Sequence, residues 1–188
     1  MALPAGEDRR PAAVVIPIFD VPPFDVLFVE RARHLRRHAG QIGFPGGAVD
    51  AGDADHAAGA LRELHEEVGI PAGAVTLIGR LPAIRQDRNV FIVTPFIAIV
   101  RAGTPLVVDA NEASAVHHVP LAEILRPGAI RTGIHTDGTR RIETFILDHG
   151  PLHVWGLTAR ILHSFVEHVH AERSELRHAL ETGLGAPI

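Results

Sequence analysis

The sequence predicts a fold of the α/β or α+β class, in which β-strands and amphipathic helices share one core. Three observations lead to this prediction. Short apolar runs with the period and composition of strands lie on both sides of one strongly patterned helix in the first half of the chain. Two further amphipathic helical segments close the chain. The 188 residues, 46% of them hydrophobic, suffice for one domain with a sizeable core.

The composition argues against several classes of function. The net charge of −4, with histidine neutral, disfavours non-specific binding to nucleic acids. The chain has no cysteine, so neither a disulfide nor a thiol nucleophile is available. No apolar run approaches the roughly 18 residues that a membrane-spanning helix needs, and the N-terminus lacks a signal-peptide pattern. We therefore expect a cytoplasmic protein without a membrane partner; the oligomeric state is left open, with a homodimer among the alternatives.

The chain begins with a polar segment that precedes the first strand. Residues 1–11 are expected to form a flexible leader, with residues 12–188 as a single domain. Residues 12–19 and 26–30 are apolar and rich in β-branched side chains, which predicts two strands. The two prolines between these segments predict a turn.

A helix over residues 54–68 is the strongest local signal in the chain. Asp53 and Asp55 are both candidates for its N-cap, because a short acidic side chain accepts hydrogen bonds from free backbone N–H groups. Gly69 stands where a left-handed residue ends a helix, and Pro71 follows it. On a helical wheel one side of this segment is apolar, and it comprises Ala57, Leu61, Leu64 and Val68.

Three glutamates, Glu63, Glu66 and Glu67, fall on the opposite side of the helix, with Arg62 beside them. Like charges at these spacings cost an isolated helix roughly 0.2–0.5 kcal/mol per pair, so the cluster favours a bound cation. Carboxylate oxygens on a rigid support suit Mg²⁺ or Mn²⁺. The alternative is a solvated face on which Arg62 offsets one of the charges.

The densest basic stretch lies between the second strand and this helix. Residues 31–44 hold four arginines and two histidines. Arginine forks match pairs of phosphate oxygens, so this stretch is a candidate phosphate-binding segment. The alternative is a solvated loop or a short helix.

The second half of the chain predicts strands, a hairpin and two helices. Thr94-Pro95 inside an apolar run predicts a sheet edge, a bulge or a strand break. We interpret His117 and His118 as ordinary strand residues, and Trp155 as a packed side chain rather than a ligand-stacking one. The expected segments are strands over 75–84, 90–100 and 115–119, a hairpin over 129–146 with Asp137-Gly138 in its turn, and helices over 154–169 and 171–180.

Residues 62–70, Arg-Glu-Leu-His-Glu-Glu-Val-Gly-Ile, resemble the second half of the Nudix box, the signature of the Nudix hydrolases. That family hydrolyses nucleoside diphosphates linked to another group and uses a divalent metal ion. The first half of the box departs from the usual spacing. Here Gly47 is followed by five residues, Asp53, and then eight residues before Arg62, so the turn is one residue longer and its acid one carbon shorter.

A second resemblance lies in residues 26–47, VLFVERARHLRRHAGQIGFPGG. This segment is similar to the motif that precedes the Nudix box in the coenzyme A pyrophosphatases, and some of these relatives share the longer turn with an aspartate. It departs from them within residues 28–30, where a threonine is common. The matching positions are Leu27, Arg31, Ala32, Leu35, Arg36, His38, Gly40, Gln41 and residues 44–47.

The resemblance implies an α/β/α sandwich, with a mixed sheet between helices and the Nudix box as a loop–helix–loop. It implies that Mg²⁺ or Mn²⁺ is bound by Glu63, Glu66, Glu67 and the carbonyl of Gly46. Glu112 lies in a stretch similar to the family's Asn-x-Glu region and becomes a candidate further ligand or base. Arg62 would orient the glutamates by pairing with them.

The implied substrate is coenzyme A, or an acyl or oxidised form, cut to 3′,5′-ADP and 4′-phosphopantetheine. Arg31 and Arg36 are the residues expected to contact its phosphates. One alternative is hydrolysis of ADP-ribose, another dinucleotide or a nucleotide sugar. Another is a Nudix-fold module that binds a ligand without turnover, although such modules often lose glutamates of the box.

Overall fold

The structure is a computed structural model that describes residues 10–35, 38–85, 91–171 and 174–185. Within these ranges the chain forms eleven strands, four α-helices and one 3₁₀ turn. The strands are β1 Arg10–Phe19, β2 Asp25–Arg31, β3 Ile42–Gly43, β4 Gly46–Ala48, β5 Val75–Arg80, β6 Ile84–Arg85, β7 Phe91–Val100, β8 Ala113–Pro120, β9 Ile130–Asp137, β10 Arg140–His149 and β11 Leu152–Trp155. The helices are α1 His56–Val68, α2 Leu121–Leu125, α3 Gly156–His170 and α4 Glu175–Leu184, and the 3₁₀ turn is Ala72–Ala74.

A mixed sheet forms the centre of the fold. Its strands follow the order β3, β2, β1, β7 and β5, with β4 paired to β1, β6 to β7 and β8 to β2. β1 and β7 run parallel over their full length, whereas the other pairs of this sheet are antiparallel. β9, β10 and β11 form a second, antiparallel sheet.

Both faces of the central sheet are covered. Alternate side chains of β1, β2 and β7 pack on α1, and Leu64 and Val68 are fully buried there. The side chains between them pack against α3, α4 and the second sheet, where Phe28 and Phe165 are fully buried. This layering confirms the predicted α/β/α sandwich with a mixed sheet.

The first strand begins earlier than expected. Arg10 and Pro11 already pair with β7, so the boundary expected at residue 12 falls inside β1. Residues 1–9, the remainder of the expected leader, lie outside the described residues.

Pro95 lies inside β7, which runs unbroken from Phe91 to Val100. The interruption is in the neighbouring strand, because β5 ends at Arg80 and β6 begins at Ile84. The Pro95 carbonyl accepts a hydrogen bond of 2.9 Å from the Leu81 N–H in this gap. The missing N–H of the proline points to the same side, where no continuous ladder requires it.

The C-terminal half follows the prediction with local differences. The hairpin is formed by β9 and β10, but the third strand, β11, was not predicted. It occupies residues 152–155, so α3 begins at Gly156 instead of residue 154. α4 spans Glu175–Leu184 instead of 171–180, because the Ser174 side chain caps it by accepting from the Arg177 N–H at 2.9 Å.

Candidate active site

The signals at both ends of α1 correspond to real caps. Asp55 is the N-cap, and its side chain accepts a hydrogen bond of 2.8 Å from the Ala58 N–H. Gly69 ends the helix in the left-handed region with φ of 76°. Asp53, the other candidate cap, instead binds Arg62.

Arg62 joins the loop before α1 to the acidic residues of the helix. Its Nε and Nη2 donate to the two carboxylate oxygens of Asp53 at 3.0 and 3.1 Å. Its Nη1 donates to Glu63 at 2.9 Å and to Glu66 at 2.8 Å, and Nη2 also reaches the Ala48 carbonyl at 3.1 Å. This guanidinium lowers the pKa of Asp53, and the surrounding carboxylates raise the pKa of Arg62. The loop and the helix are thereby held in one arrangement.

Glu67 is buried, which the helical wheel did not predict. Its exposed fraction is only 4%, so the alternative of a solvated face does not hold for this residue. The Gly46 N–H donates to its Oε2 at 3.2 Å, and Arg31 Nη1 lies 3.9 Å from its Oε1. Glu66 is half exposed and faces Arg62 instead.

Three carboxylates converge beside this buried position. Oxygen atoms of Glu63, Glu67 and Glu112 all lie within 4.8 Å of one another. Glu66 is not part of this group. The structure therefore brings together two of the three glutamates on α1 and the more distant Glu112.

The loop between β7 and β8 places Glu112. The Val107 and Asp109 N–H groups donate to the carbonyls of Val68 and Glu67 at 2.9 and 3.0 Å, which fastens this loop to the end of α1. The Ala32 N–H donates to the Glu112 carbonyl at 2.9 Å. These contacts connect the helix, the loop and the end of β2 around the carboxylates.

Burial and mutual repulsion make Glu63 and Glu67, two of the three converged carboxylates, hard to ionise. Burial, followed by repulsion from Glu112 and Glu63, raises the pKa of Glu67 to about 8, although the Gly46 N–H and Arg31 act against this rise. Burial also raises the pKa of Glu63, which Arg62 opposes. A donor set of oxygens only, with charges that repel one another, fits a hard divalent cation such as Mg²⁺ or Mn²⁺.

Two glycines before α1 leave room for these groups. Gly46 has a φ of 149°, and a Cβ there would collide with the Ala13 carbonyl. A Cβ on Gly47 would lie 2.6 Å from the Glu63 carboxylate. The backbone also contributes to the site, through the Gly46 N–H and the Ala48 carbonyl. The sequence analysis did not predict these two contacts. The glycine pair at residues 46 and 47 is the sequence feature that could have indicated a close approach of the backbone.

The basic stretch contributes one arginine to the site in the described ranges. Arg31 lies at the end of β2 beside Glu67, and its buried Nε has no hydrogen-bond partner among the described residues. Arg36, the second expected phosphate contact, lies outside those residues.

The aromatic and histidine interpretations concern residues outside the converged group of Glu63, Glu67 and Glu112. His117 lies on β8 with its Nε2 3.2 Å from Glu30. Trp155 is partly buried and stacks on His135 with ring centroids 3.7 Å apart. Both placements agree with strand and packing roles.

Within the described ranges, none of the helices is both long enough and apolar enough to cross a membrane.

The sequence is similar to those of known proteins over most of its length. The sequence model of the NUDIX domain matches residues 8–135. A protein of Salmonella paratyphi B, named as the uncharacterized Nudix hydrolase NudL, is 43% identical over 157 residues, which are 82% of this chain and 80% of that protein. A protein of the same name from Salmonella newport matches to the same extent.

Solved structures share the fold at low sequence identity. A MutT/nudix family protein from Enterococcus faecalis has a TM-score of 0.54 and 16% identity, covering 96% of this chain and 70% of that one. The Nudix hydrolase RenU from M. smegmatis has a TM-score of 0.51 and 22% identity, covering 61% and 73%. At these identities the likeness concerns the fold alone.

Proposed function

This chain belongs to the Nudix family and is a Nudix hydrolase, and on this basis we propose that it hydrolyses the pyrophosphate of coenzyme A, or of its acyl or oxidised forms. The products are 3′,5′-ADP and 4′-phosphopantetheine. One observation carries the proposal. The carboxylates of Glu63, Glu67 and Glu112 converge beside Arg31, which belongs to the segment similar to that of the coenzyme A pyrophosphatases.

The metal ion in this proposal is Mg²⁺ or Mn²⁺, held by Glu63, Glu67 and Glu112. Glu66 and the carbonyl of Gly46 are the further ligands that the box implies. A divalent metal ion supplies neutralisation of the pyrophosphate charge and a more acidic water. The raised pKa values of Glu63 and Glu67 support this assignment, because a cation relieves the repulsion that disfavours their ionised forms.

The other residues of the site bind and orient. Arg62 holds the carboxylates of Glu63 and Glu66, and the Gly46 N–H holds that of Glu67. The Arg31 side chain is 37% exposed, so its guanidinium can donate to a phosphate oxygen, and Arg36 is assigned the same role from the motif alone.

The reaction adds the oxygen of a water to one phosphorus atom and breaks the bond from that phosphorus to the bridging oxygen. A carboxylate must accept the proton that the water loses. The candidates are a glutamate of the box and Glu112, all of which lie on or beside the converged group.

Two alternatives stay in view. The first keeps the site and changes the substrate to ADP-ribose, a dinucleotide or a nucleotide sugar. The second is ligand binding without turnover, which the intact set of Glu63, Glu66 and Glu67 disfavours.

The experiment is hydrolysis of coenzyme A with Mg²⁺ and with Mn²⁺, beside ADP-ribose and NADH, with products separated by chromatography. We expect 3′,5′-ADP to form fastest from coenzyme A, and a chelator to abolish it. If only ADP-ribose or NADH is cleaved, the protein is a hydrolase but coenzyme A is not its substrate. Absence of turnover with either metal would favour the binding module.

A matched pair of arginine variants tests the substrate contact. We expect Arg31→Gln to raise KM for coenzyme A by roughly 10- to 100-fold, because a charge-assisted hydrogen bond is lost. Arg33→Gln is the control, since Arg33 is 84% exposed and pairs only with Glu30 among the contacts observed in the described chain. An unchanged KM in Arg31→Gln would remove this residue from the substrate site.

A further inference from the structure

A histidine pair on the second sheet lies on the opposite side of the central sheet from α1. His135 is on β9 and His153 on β11. Their Nδ1 and Nε2 atoms, respectively, are 3.1 Å apart. The His153 side chain is 44% exposed, so the pair is open to ions from solvent.

Asp148 and Arg131 fix the orientation of the His153 ring. Its Nδ1 lies 2.6 Å from Asp148 Oδ1, and Arg131 Nη2 donates to Asp148 Oδ2 at 2.5 Å. Because the carboxylate accepts, the His153 proton is assigned to Nδ1, and Nε2 presents its lone pair to His135. A carboxylate behind an imidazole is the usual support of a metal-binding histidine.

The orientation of His135 is set by an aromatic neighbour. Its ring stacks on Trp155 with centroids 3.7 Å apart and an interplanar angle of 14°. Burial and the neighbouring His153 lower the pKa of His135, which favours the neutral ring. His153 is held through its Nδ1, and His135 is held through the face of its ring. The two facing nitrogens, His135 Nδ1 and His153 Nε2, contact only each other in these interactions.

We propose that His135 and His153 form a binding site for a transition-metal ion that prefers imidazole, namely Zn²⁺, Ni²⁺ or Cu²⁺. Nitrogen ligands lie about 2.0–2.1 Å from such a metal ion. Two ligand nitrogens are then about 2.9 Å apart when the N–metal–N angle is about 90°, and about 3.4 Å apart when it is tetrahedral. The observed 3.1 Å lies between these values. On binding, the proton of neutral His135 moves from Nδ1 to Nε2, so both facing nitrogens become ligands, and water completes the coordination.

This site differs in chemistry from the carboxylate site. The group formed by Glu63, Glu67 and Glu112 offers oxygen ligands only, which suit Mg²⁺ or Mn²⁺. The histidine pair offers nitrogen ligands, which those ions bind poorly. The two sites are therefore separable by the choice of metal.

The chain contains a built-in probe for the test. Trp155 is its only tryptophan and touches one of the two proposed ligands. We would titrate Ni²⁺ into the full-length protein in excess Mg²⁺ and follow tryptophan fluorescence, with Zn²⁺ binding measured by calorimetry. We expect saturable quenching with one Ni²⁺ per chain.

Variants of the pair should remove this response. His135→Phe keeps a ring on Trp155 but offers no nitrogen, and His153→Gln removes the other ligand. We expect each to weaken Ni²⁺ binding by about tenfold or more, and Asp148→Asn to weaken it about 10- to 100-fold through the lost support of His153. Circular dichroism of each variant checks that the fold is retained.

The controls address the other histidines, of which the chain has 13 in all. His118→Gln alters an exposed histidine on β8, and Glu67→Gln alters the carboxylate site; neither should change the quenching. Quenching without saturation, or unchanged affinity in both His135→Phe and His153→Gln, would overturn the proposal. The pair would then be a hydrogen bond between two imidazoles. No Ni²⁺ or Zn²⁺ binding by wild-type protein would overturn it as well.

Discussion

The carboxyl group of Glu67 is almost completely buried. The Gly46 N–H and Arg31 favour its ionised form, but burial and the repulsion from Glu112 and Glu63 outweigh them. With a pKa of about 8, this group keeps its proton at neutral pH in the absence of a cation. Metal binding and protonation therefore compete at this residue.

The contribution of Glu67 to the stability of the metal-free protein should fall as the pH rises. An unfolded glutamate releases its proton near 4.5, whereas folded Glu67 keeps it until about pH 8. Between these values the folded state binds more protons, so the free energy of unfolding falls with rising pH and levels off above about 8. Thermal unfolding in chelator from pH 5 to 9 measures this slope. Glu67→Gln should flatten it, and an unchanged slope in that variant would assign the effect elsewhere.

Glutamine substitutions should separate activity from folding. We expect Glu66→Gln and Glu67→Gln to lower kcat by orders of magnitude, because the proposed metal ligands lose their charge, while the fold survives. For Glu67→Gln in chelator at pH 8.5, the melting temperature should rise, since no charge is buried.

The matched control is Glu123→Gln on α2, where the side chain is half exposed and pairs with Arg126. Its kcat should equal that of the wild type. Near-full turnover by either Glu66→Gln or Glu67→Gln would show that the metal assignment is wrong.

Helix α1 and the loop before it behave as one unit. Asp55 and Gly69 define the ends of the helix, and Arg62 joins it to Asp53 of the loop and to Ala48 at the end of β4. An arginine whose five hydrogen bonds span a loop and a helix orders both at once. The geometry of the carboxylates therefore depends on the loop as much as on the helix.

Gly47→Ala should damage the site more than the fold. A Cβ there would lie 2.6 Å from the Glu63 carboxylate, which is the end of a movable side chain. We expect the carboxylate to shift and kcat to fall by roughly tenfold or more, because small misplacements of catalytic groups are costly.

Gly52→Ala is the control for Gly47→Ala. It lies in the loop between β4 and α1, and a Cβ at Gly52 meets nothing within 4 Å. Steady-state kinetics and thermal unfolding of both variants make the comparison. Equal kcat values for the two variants would mean that the position of the Glu63 carboxylate does not limit the reaction.

The sandwich places the site and much of the core on different faces of the central sheet. The carboxylates of the box lie on α1, whereas α3 and α4 pack on the opposite face. Leu180 of α4 is fully buried there. Stability and activity should therefore respond separately to changes in this layer.

Leu180→Ala tests that separation. We expect a loss of about 2–5 kcal/mol in the free energy of unfolding, because the truncation leaves a cavity. We expect kcat to stay unchanged well below the melting temperature. Leu176→Ala, at a partly buried position on the same helix, should cost less. A fall in kcat of the folded Leu180→Ala protein would mean that the two layers are coupled.

Local patterns predicted the elements whose signals are local. The ends of α1 depend on Asp55 and Gly69, and the β9–β10 turn depends on Asp137-Gly138, so both were found in the sequence. β11 has only four residues, and the helix predicted over residues 154–169 includes two of them. Its strand character comes from pairing with β10, which a short window does not contain.

The sequence alone established the residue types of the box, the helix that carries them and the divalent-metal chemistry that they imply. It did not establish which carboxylates meet. A helical wheel gives angles around one axis, so it could not show that Gly46 and Arg31 close over Glu67. Nor could it show that a loop fastened to α1 brings in Glu112, while Glu66 turns to Arg62. These neighbours come from segments distant in the chain, and only sheet register and loop hydrogen bonds bring them together.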